Sequence, residues 1–285
     1  MKRQVLITIL FFTVIFVPTV RCEEKTETIE IKKSLNFSGS TGEPNSLLVD
    51  NVNGSIEVTG YDGTTVELIV HETIVARSER KLEEAKQKVN VDITEEGDRI
   101  LLYVDGPWRR ANGECDYRGS DYYGYEVQCD FELKIPRSTK IELKTVNDGA
   151  ITVSNIEAGF IVTNVNGDVR IRDVSGSGKA HTVNGDVEVS FKKNPTEKSS
   201  FKTINGEVDV KFQENLSADL EFKTLNGEVY SDFNVTSLPV KAATEKRRNG
   251  KRVYSRGDSF SVRVANGGPE LSFNTINGDI TVAKY

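Results

Sequence analysis

Side chains that carry chemistry are scarce in this chain of 285 residues, which holds 3 cysteines, 2 histidines and 1 tryptophan. The histidines, His71 and His181, have no neighbouring serine, cysteine and acid in a recognisable nucleophilic arrangement. No zinc-ligand spacing, glycine-rich phosphate loop or EF-hand loop occurs in the sequence. We therefore expect a protein that is not an enzyme and that needs neither a cofactor nor a metal.

Long apolar runs are absent after the first residues. The run from Val5 to Val17 follows Lys2 and Arg3, and it is shorter than the roughly 20 residues that span a bilayer. Residues 1–22 are therefore predicted to be a signal peptide that is cleaved near Cys22. Lipid attachment to Cys22 is the alternative, although the preceding residue is not small. We expect an exported protein with no transmembrane segment once the signal is removed.

Neither acidic nor basic residues are in strong excess. The formal net charge is −6, which is mild for this length and argues against a nucleic-acid partner.

Cleavage after residue 22 leaves two cysteines, Cys115 and Cys129. An even pair in an exported protein predicts a disulfide.

A short motif is repeated seven times and is the strongest signal in the sequence. It combines Thr or Asn, an aliphatic residue, Asn-Gly, an acidic or small residue, and then aliphatic residues two apart. The copies cover residues 51–58, 145–153, 164–171, 182–189, 203–210, 224–229 and 275–282. Aliphatic residues two apart are typical of a half-buried strand, and Asn-Gly favours a bend. Each unit is therefore predicted to be a strand that follows a corner.

The spacing of the copies predicts how the units are arranged. The glycines at positions 149, 167, 185, 206 and 227 recur at a nearly constant interval. A meander of hairpins and a solenoid of stacked coils both fit such spacing. In Asn166-Gly167 the apolar partner of Val165 is Val169, one residue later than a two-residue hairpin requires. We therefore favour an all-β, single-domain β-solenoid with coils of about 18–21 residues.

The region before the closely spaced repeats differs from them. Ser78 can cap a helix near residues 78–89, in which Leu82, Ala85 and Val89 lie on one face. Residues 23–140 are predicted to form an N-terminal β part with this helix and a disulfide-tied loop. Residues 141–285 are predicted to form the repeat solenoid, continuous with that part.

One loop is rich in aromatic and basic residues and is the candidate binding site. Its residues that suit recognition are Trp108, Arg109, Arg110, Tyr117, Tyr122, Tyr123 and Tyr125. The alternative is that the loop is a structural cap over the sheet.

The acidic residue after each Asn-Gly is a second candidate. In stacked coils Asp168, Asp186, Glu207, Glu228 and Asp279 would form a column. Polar groups on exposed corners are the favoured interpretation, and cation binding or an acid pair for glycoside cleavage are alternatives. The asparagines are expected to form a hydrogen-bonded ladder from coil to coil.

The repeated motif, placed behind a signal peptide, resembles a bacterial β-strand-repeat family whose members are labelled adhesins by analogy and whose function is unknown. The resemblance covers most of residues 29–285. It implies a β-solenoid in the bacterial cell envelope, in the periplasm or at the cell surface. We therefore expect a structural or binding module whose loop or extended face contacts a glycan or another envelope protein. A polysaccharide-active enzyme on a β-solenoid is the alternative function.

Overall fold

The computed structural model describes residues 24–39, 42, 44–110, 115–239, 244–248, 251–255 and 259–285. The predicted signal peptide therefore lies outside the described residues. The strands are β1 (Lys25–Asn36), β2 (Ser46–Asp50), β3 (Ile56–Tyr61), β4 (Thr65–Ala76), β5 (Asn90–Glu96), β6 (Arg99–Asp105), β7 (Tyr125–Pro136), β8 (Lys140–Lys144), β9 (Ile151–Ser154), β10 (Phe160–Thr163), β11 (Val169–Val174), β12 (Gly178–His181), β13 (Val187–Phe191), β14 (Ser199–Lys202), β15 (Val208–Phe212), β16 (Ala218–Lys223), β17 (Val229–Ser231), β18 (Val235–Ser237), β19 (Thr244–Arg248), β20 (Lys251–Ser255), β21 (Ser259–Val264), β22 (Glu270–Asn274) and β23 (Ile280–Lys284). The helices are α1 (Glu79–Lys88) and α2 (Ser120–Tyr123).

Two long sheets contain most of the strands, and the repeats pair in parallel. The first sheet has the order β1-β4-β7-β3-β9-β11-β13-β15-β23-β17, and the second has the order β18-β21-β16-β22-β14-β12-β10-β8-β2-β6-β5. Each repeat contributes one strand to each sheet, as β12 and β13 do on either side of a corner. Parallel neighbours joined through such corners are the arrangement of a solenoid and exclude a hairpin meander. The predicted β-solenoid is confirmed.

The corners stack because their side chains bond to the next coil. The side chain of Asn184 donates to Asn166 at 2.8 Å, and that of Asn205 donates to Asn184 at 2.8 Å. The hydroxyl of Thr203 donates to the carbonyl of Gly185 at 2.8 Å. The whole asparagine ladder runs through Asn53, Asn147, Asn166, Asn184, Asn205, Asn277 and Asn226. The predicted ladder is present, and these residues hold the coils in register.

The last repeat does not stack at the end of the column. Strand β23 lies between β15 and β17, and β22 lies between β14 and β16. The coil with Asn277 is therefore inserted between the coils with Asn205 and Asn226. The order of the last two coils in the stack therefore differs from their order in the chain.

The core lies between the two sheets and consists of the inward-facing residues of each strand. In the repeats the phenylalanines stack along the axis: the ring centroids of Phe191 and Phe212 are 5.1 Å apart, and those of Phe222 and Phe273 are 5.1 Å apart. The aromatic rings and the neighbouring valines and isoleucines are buried. Burial of this continuous apolar strip is the main stabilising contribution of the fold.

The N-terminal part covers one end of the first sheet with antiparallel strands. Strand β4 pairs antiparallel with both β1 and β7. Helix α1 begins after Ser78, whose hydroxyl accepts the backbone N–H of Lys81 at 3.4 Å. The helix packs on β1, β4 and β7 through Leu82 and Ala85, as predicted. Among the described residues, no helix is long and apolar enough to cross a membrane.

Candidate functional site: the aromatic loop

The loop of residues 106–124, which we call the aromatic loop, joins β6 to β7 and includes α2. Its side chains form a connected cluster of rings. Trp108 is edge-on to Tyr117 and to Tyr123, with ring centroids 5.3 and 5.7 Å away. The ring of Tyr123 also lies beside that of Tyr125, the first residue of β7, with the two ring centroids 6.0 Å apart. The two edge-to-face pairs of Trp108 stabilise the loop beyond the area that they bury.

Most of this cluster is inside the protein. Trp108 and Tyr125 are each 2% exposed, and Tyr117 and Tyr123 are half-buried. Burial raises the pKa of Tyr125 to about 12. The indole N–H of Trp108 and the hydroxyl of Tyr125 have no hydrogen-bond partner within the described part of the chain. The loop is therefore a cap with an apolar underside that also holds unpaired polar atoms.

Arg109 anchors the loop to the second sheet. Its guanidinium donates to a carboxylate oxygen of Asp50 at 2.8 Å and to the backbone carbonyl of Val104 at 3.1 Å. The same group lies over the ring of Tyr103, 4.4 Å from its centroid. Its side chain is only 6% exposed. A buried arginine needs such a carboxylate partner, and the pair fixes the loop at the ends of β2 and β6.

The outer surface of the loop includes an exposed tyrosine and two arginines. Tyr122 is 64% exposed, and the guanidinium of Arg118 lies 5.1 Å from its ring centroid. Asp116 accepts hydrogen bonds from Arg110 at 2.7 Å and from Arg118 at 3.1 Å. These two arginines hold the pKa of the Asp116 carboxyl below its usual range. Of the predicted site residues, Arg110 and Tyr122 face solvent, and Arg118 joins them there.

The structure contains no disulfide between Cys115 and Cys129, since both are free thiols. Cys129 faces the core from β7 in the first sheet and is 1% exposed. Cys115 pairs through its backbone with Arg109, which is held at the second sheet. Burial raises the pKa of both thiols. The rings and Arg109, not the predicted disulfide, tie the loop to the fold.

The column of acidic residues has a structural role where the residue is Asp. The carboxylate of Asp168 accepts the backbone N–H of Asp186 at 2.9 Å, and that of Asp186 accepts the N–H of Glu207 at 2.8 Å. Asp279 does the same for Glu228 at 2.8 Å. These bonds support the interpretation of the column as corner-capping groups. Within the described ranges, no group of three or more His, Cys, Asp or Glu residues is placed to hold a metal ion.

The repeat corners and the parallel coils match a known protein family. The Toastrack DUF4097 family matches residues 130–283. The chain belongs to the Toastrack DUF4097 family. The Toastrack region begins in β7 and ends in β23, so it includes the solenoid and leaves out the aromatic loop. The predicted resemblance to a β-strand-repeat family is confirmed.

Three solved structures resemble this Toastrack chain. One from Clostridium sporogenes, named a "putative cell adhesion protein", is 11% identical with a TM-score of 0.44, over 91% of this chain and 100% of that chain. A "putative lipid binding protein" from Parabacteroides distasonis is 13% identical with a TM-score of 0.29, over 90% and 96%. A "putative adhesin" from the same organism is 12% identical with a TM-score of 0.22, over 92% and 97%. No functionally characterised protein matches the sequence.

Proposed function

We propose that this protein is an exported, non-catalytic module of the bacterial cell envelope that binds a glycan or another envelope protein through its aromatic loop. The observation that carries this proposal is the exposed ring of Tyr122 beside Arg118, which shares the carboxylate of Asp116 with Arg110. Exposed tyrosine and arginine are the residue types that contribute most to recognition.

The anchoring of the described side chains of the loop supports the proposal. The exposed groups rest on the buried cluster of Trp108 and Tyr125, and Arg109 fixes the loop to the second sheet. A surface held in one conformation loses little entropy when it binds.

A co-sedimentation assay with isolated bacterial envelopes tests the proposal. We expect the mature protein to sediment with the envelopes, and Tyr122→Ala combined with Arg118→Ala to weaken binding about ten-fold or more. Tyr230→Ala is the matched control, because Tyr230 is another exposed tyrosine, at 49%, on the distant strand β17. Equal binding by the loop variant and the native protein would rule out the loop as the contact site.

A further inference from the structure

A dense group of lysines lies on the outer face of the second sheet, away from the aromatic loop. Residues alternate between core and solvent along β8, β10, β12 and β14, and the register of these strands aligns their outward side chains. The result, which we call the basic patch, consists of Lys140, Lys144, Lys179, Lys198, Lys202 and His181. Glu142 is the single acidic side chain at the outward positions of these four strands. The patch contrasts with the net charge of −6 of the chain.

Most of these cations are free to bind an anion from outside. Lys198 lies 3.4 Å from Glu270, and Lys144 lies 3.8 Å from Asp50, which is already paired with Arg109. Across the described parts of the chain, Lys140, Lys179 and Lys202 form no ion pair. Lys179 on β12 and Lys202 on β14 lie on adjacent strands, where Lys202 is paired with His181 and Lys179 is two residues before it. Their like charges repel one another, and an anionic ligand would relieve this repulsion.

A groove of about 420 Å³ runs across the strands inside the patch. It exists because the outward positions Ser46, Gly159 and Ser177 are small, whereas long cationic side chains stand on its rim. Its floor includes Leu48 and Ile161, and Ile161 is 43% exposed. The lining carries four cations, Arg99, Lys140, Lys179 and Lys198, and one carboxylate, Glu142.

We infer that the basic patch and its groove bind a linear acidic glycan that lies across the strands, parallel to the solenoid axis. The cations extend over four strands, so no single small anion reaches them all. Lys140, Lys179 and Lys202 lie on β8, β12 and β14, with β10 between the first two. Carboxylates spaced along a chain of sugars can therefore meet lysines on different strands. The apolar floor suits the faces of sugar rings, and the serines suit their hydroxyl groups.

His181 provides a direct reporter for this site. Its pKa is lowered by burial and by the positive charges of Lys202 and Lys179. A bound polyanion neutralises these lysines and must therefore raise the pKa of His181. The second histidine of the chain, His71, lies on β4 in the first sheet near Glu30 and Glu132, so it is an internal control.

The test is an NMR titration of both histidines in the mature protein with oligogalacturonate, compared with neutral maltooligosaccharide of equal length. We expect oligogalacturonate alone to bind and to raise the pKa of His181 but not that of His71. Lys179→Gln with Lys202→Gln should weaken binding about ten-fold or more, and added salt should weaken it further. Lys33→Gln with Lys211→Gln removes the same charge from exposed positions of β1 and β15 and should leave binding unchanged.

Three results would overturn this assignment. Equal binding of the neutral oligosaccharide would exclude recognition by charge, and equal loss in both lysine pairs would exclude this patch. Binding to phosphatidylglycerol vesicles without binding to oligogalacturonate would assign the patch to a lipid surface instead. The aromatic loop is intact in every variant, so failure here leaves the function proposed for the loop untouched.

Discussion

Glu72 has a buried carboxyl group, and burial is unfavourable for a charged group. It faces the core from β4 opposite Cys129 and is 8% exposed. Burial raises its pKa, and the nearby carboxylate of Glu27 adds to this effect. Because the folded state holds the proton more tightly than the unfolded state, this group makes the fold less stable as the pH rises past its ordinary value of 4.5.

Glu72→Gln should therefore raise the melting temperature at pH 7, since the amide removes the cost of burying a charge. The advantage should vanish well below pH 4.5, where both states of the native protein hold a neutral carboxyl. Glu67→Gln is the control, because Glu67 lies on the same strand with its side chain 54% exposed. Thermal unfolding followed by circular dichroism at pH 7 and well below pH 4.5 measures the difference in melting temperature between the variant and the native protein. A difference that is the same at both pH values would contradict this explanation.

At the scale of the coil, the corner requires glycine because the chains approach closely there. A Cβ on Gly206 would overlap the carbonyl oxygen of Gly185, and Gly206 has a φ of +153°. The same contact recurs between Gly185 and Gly167. The backbone of one coil therefore rests directly on the backbone of the next.

We expect Gly206→Ala to lower the free energy of unfolding by about 2–4 kcal/mol, because the coils must separate to admit the methyl group. Gly159→Ala is the matched control, since its Cβ would meet its nearest neighbour, the carbonyl oxygen of Ser177, at an ordinary 3.4 Å. Urea unfolding of the two variants gives the comparison. If Gly206→Ala lowers the free energy of unfolding as little as the control does, the corner relaxes without separating the coils.

The sequence predicts the corners well and the aromatic loop poorly, for a physical reason. The side chain of Asn205 bonds to Asn184 and Asn277, which hold the same position in neighbouring coils, so a local motif contains this interaction. The burial of Arg109 depends instead on Asp50, which is distant in the sequence. Composition alone cannot distinguish an arginine buried against a carboxylate from one in solvent, as Arg110 is.

At the scale of the whole molecule, the local motif also does not determine the order in which the coils stack. The corners at Asn226 and Asn277 both have Thr, an aliphatic residue and Asn-Gly, and both asparagines donate to the ladder, so either could follow Asn205. The chain reaches the inserted position because β21 first pairs antiparallel with β16 at the outer side of the stack. Strand β22 then returns parallel between β14 and β16.

This inserted coil predicts an unusual response to truncation. Removal of residues 270–285 deletes β22 and β23 and separates β16 and β17 from β14 and β15. Inward residues such as Phe222, which stacks on Phe273, lose their partners. Loss of an internal coil removes two interfaces, whereas loss of a terminal coil removes one. The expected loss of stability therefore exceeds about 4 kcal/mol, in the range of core disruption.

Hydrogen exchange shows which strands of the truncated protein remain folded. We expect the amides of β16 and β17 to lose their protection, while those of β9 to β13 keep it, because each coil depends mainly on its neighbours. The opposite result, full protection of β16 and β17, would mean that their coil docks directly on β14 and β15 through the equivalent corner at Asn226. In that case the position of the last coil would be decided by β21 and its pairing with β16, and the corners would serve as interchangeable contacts.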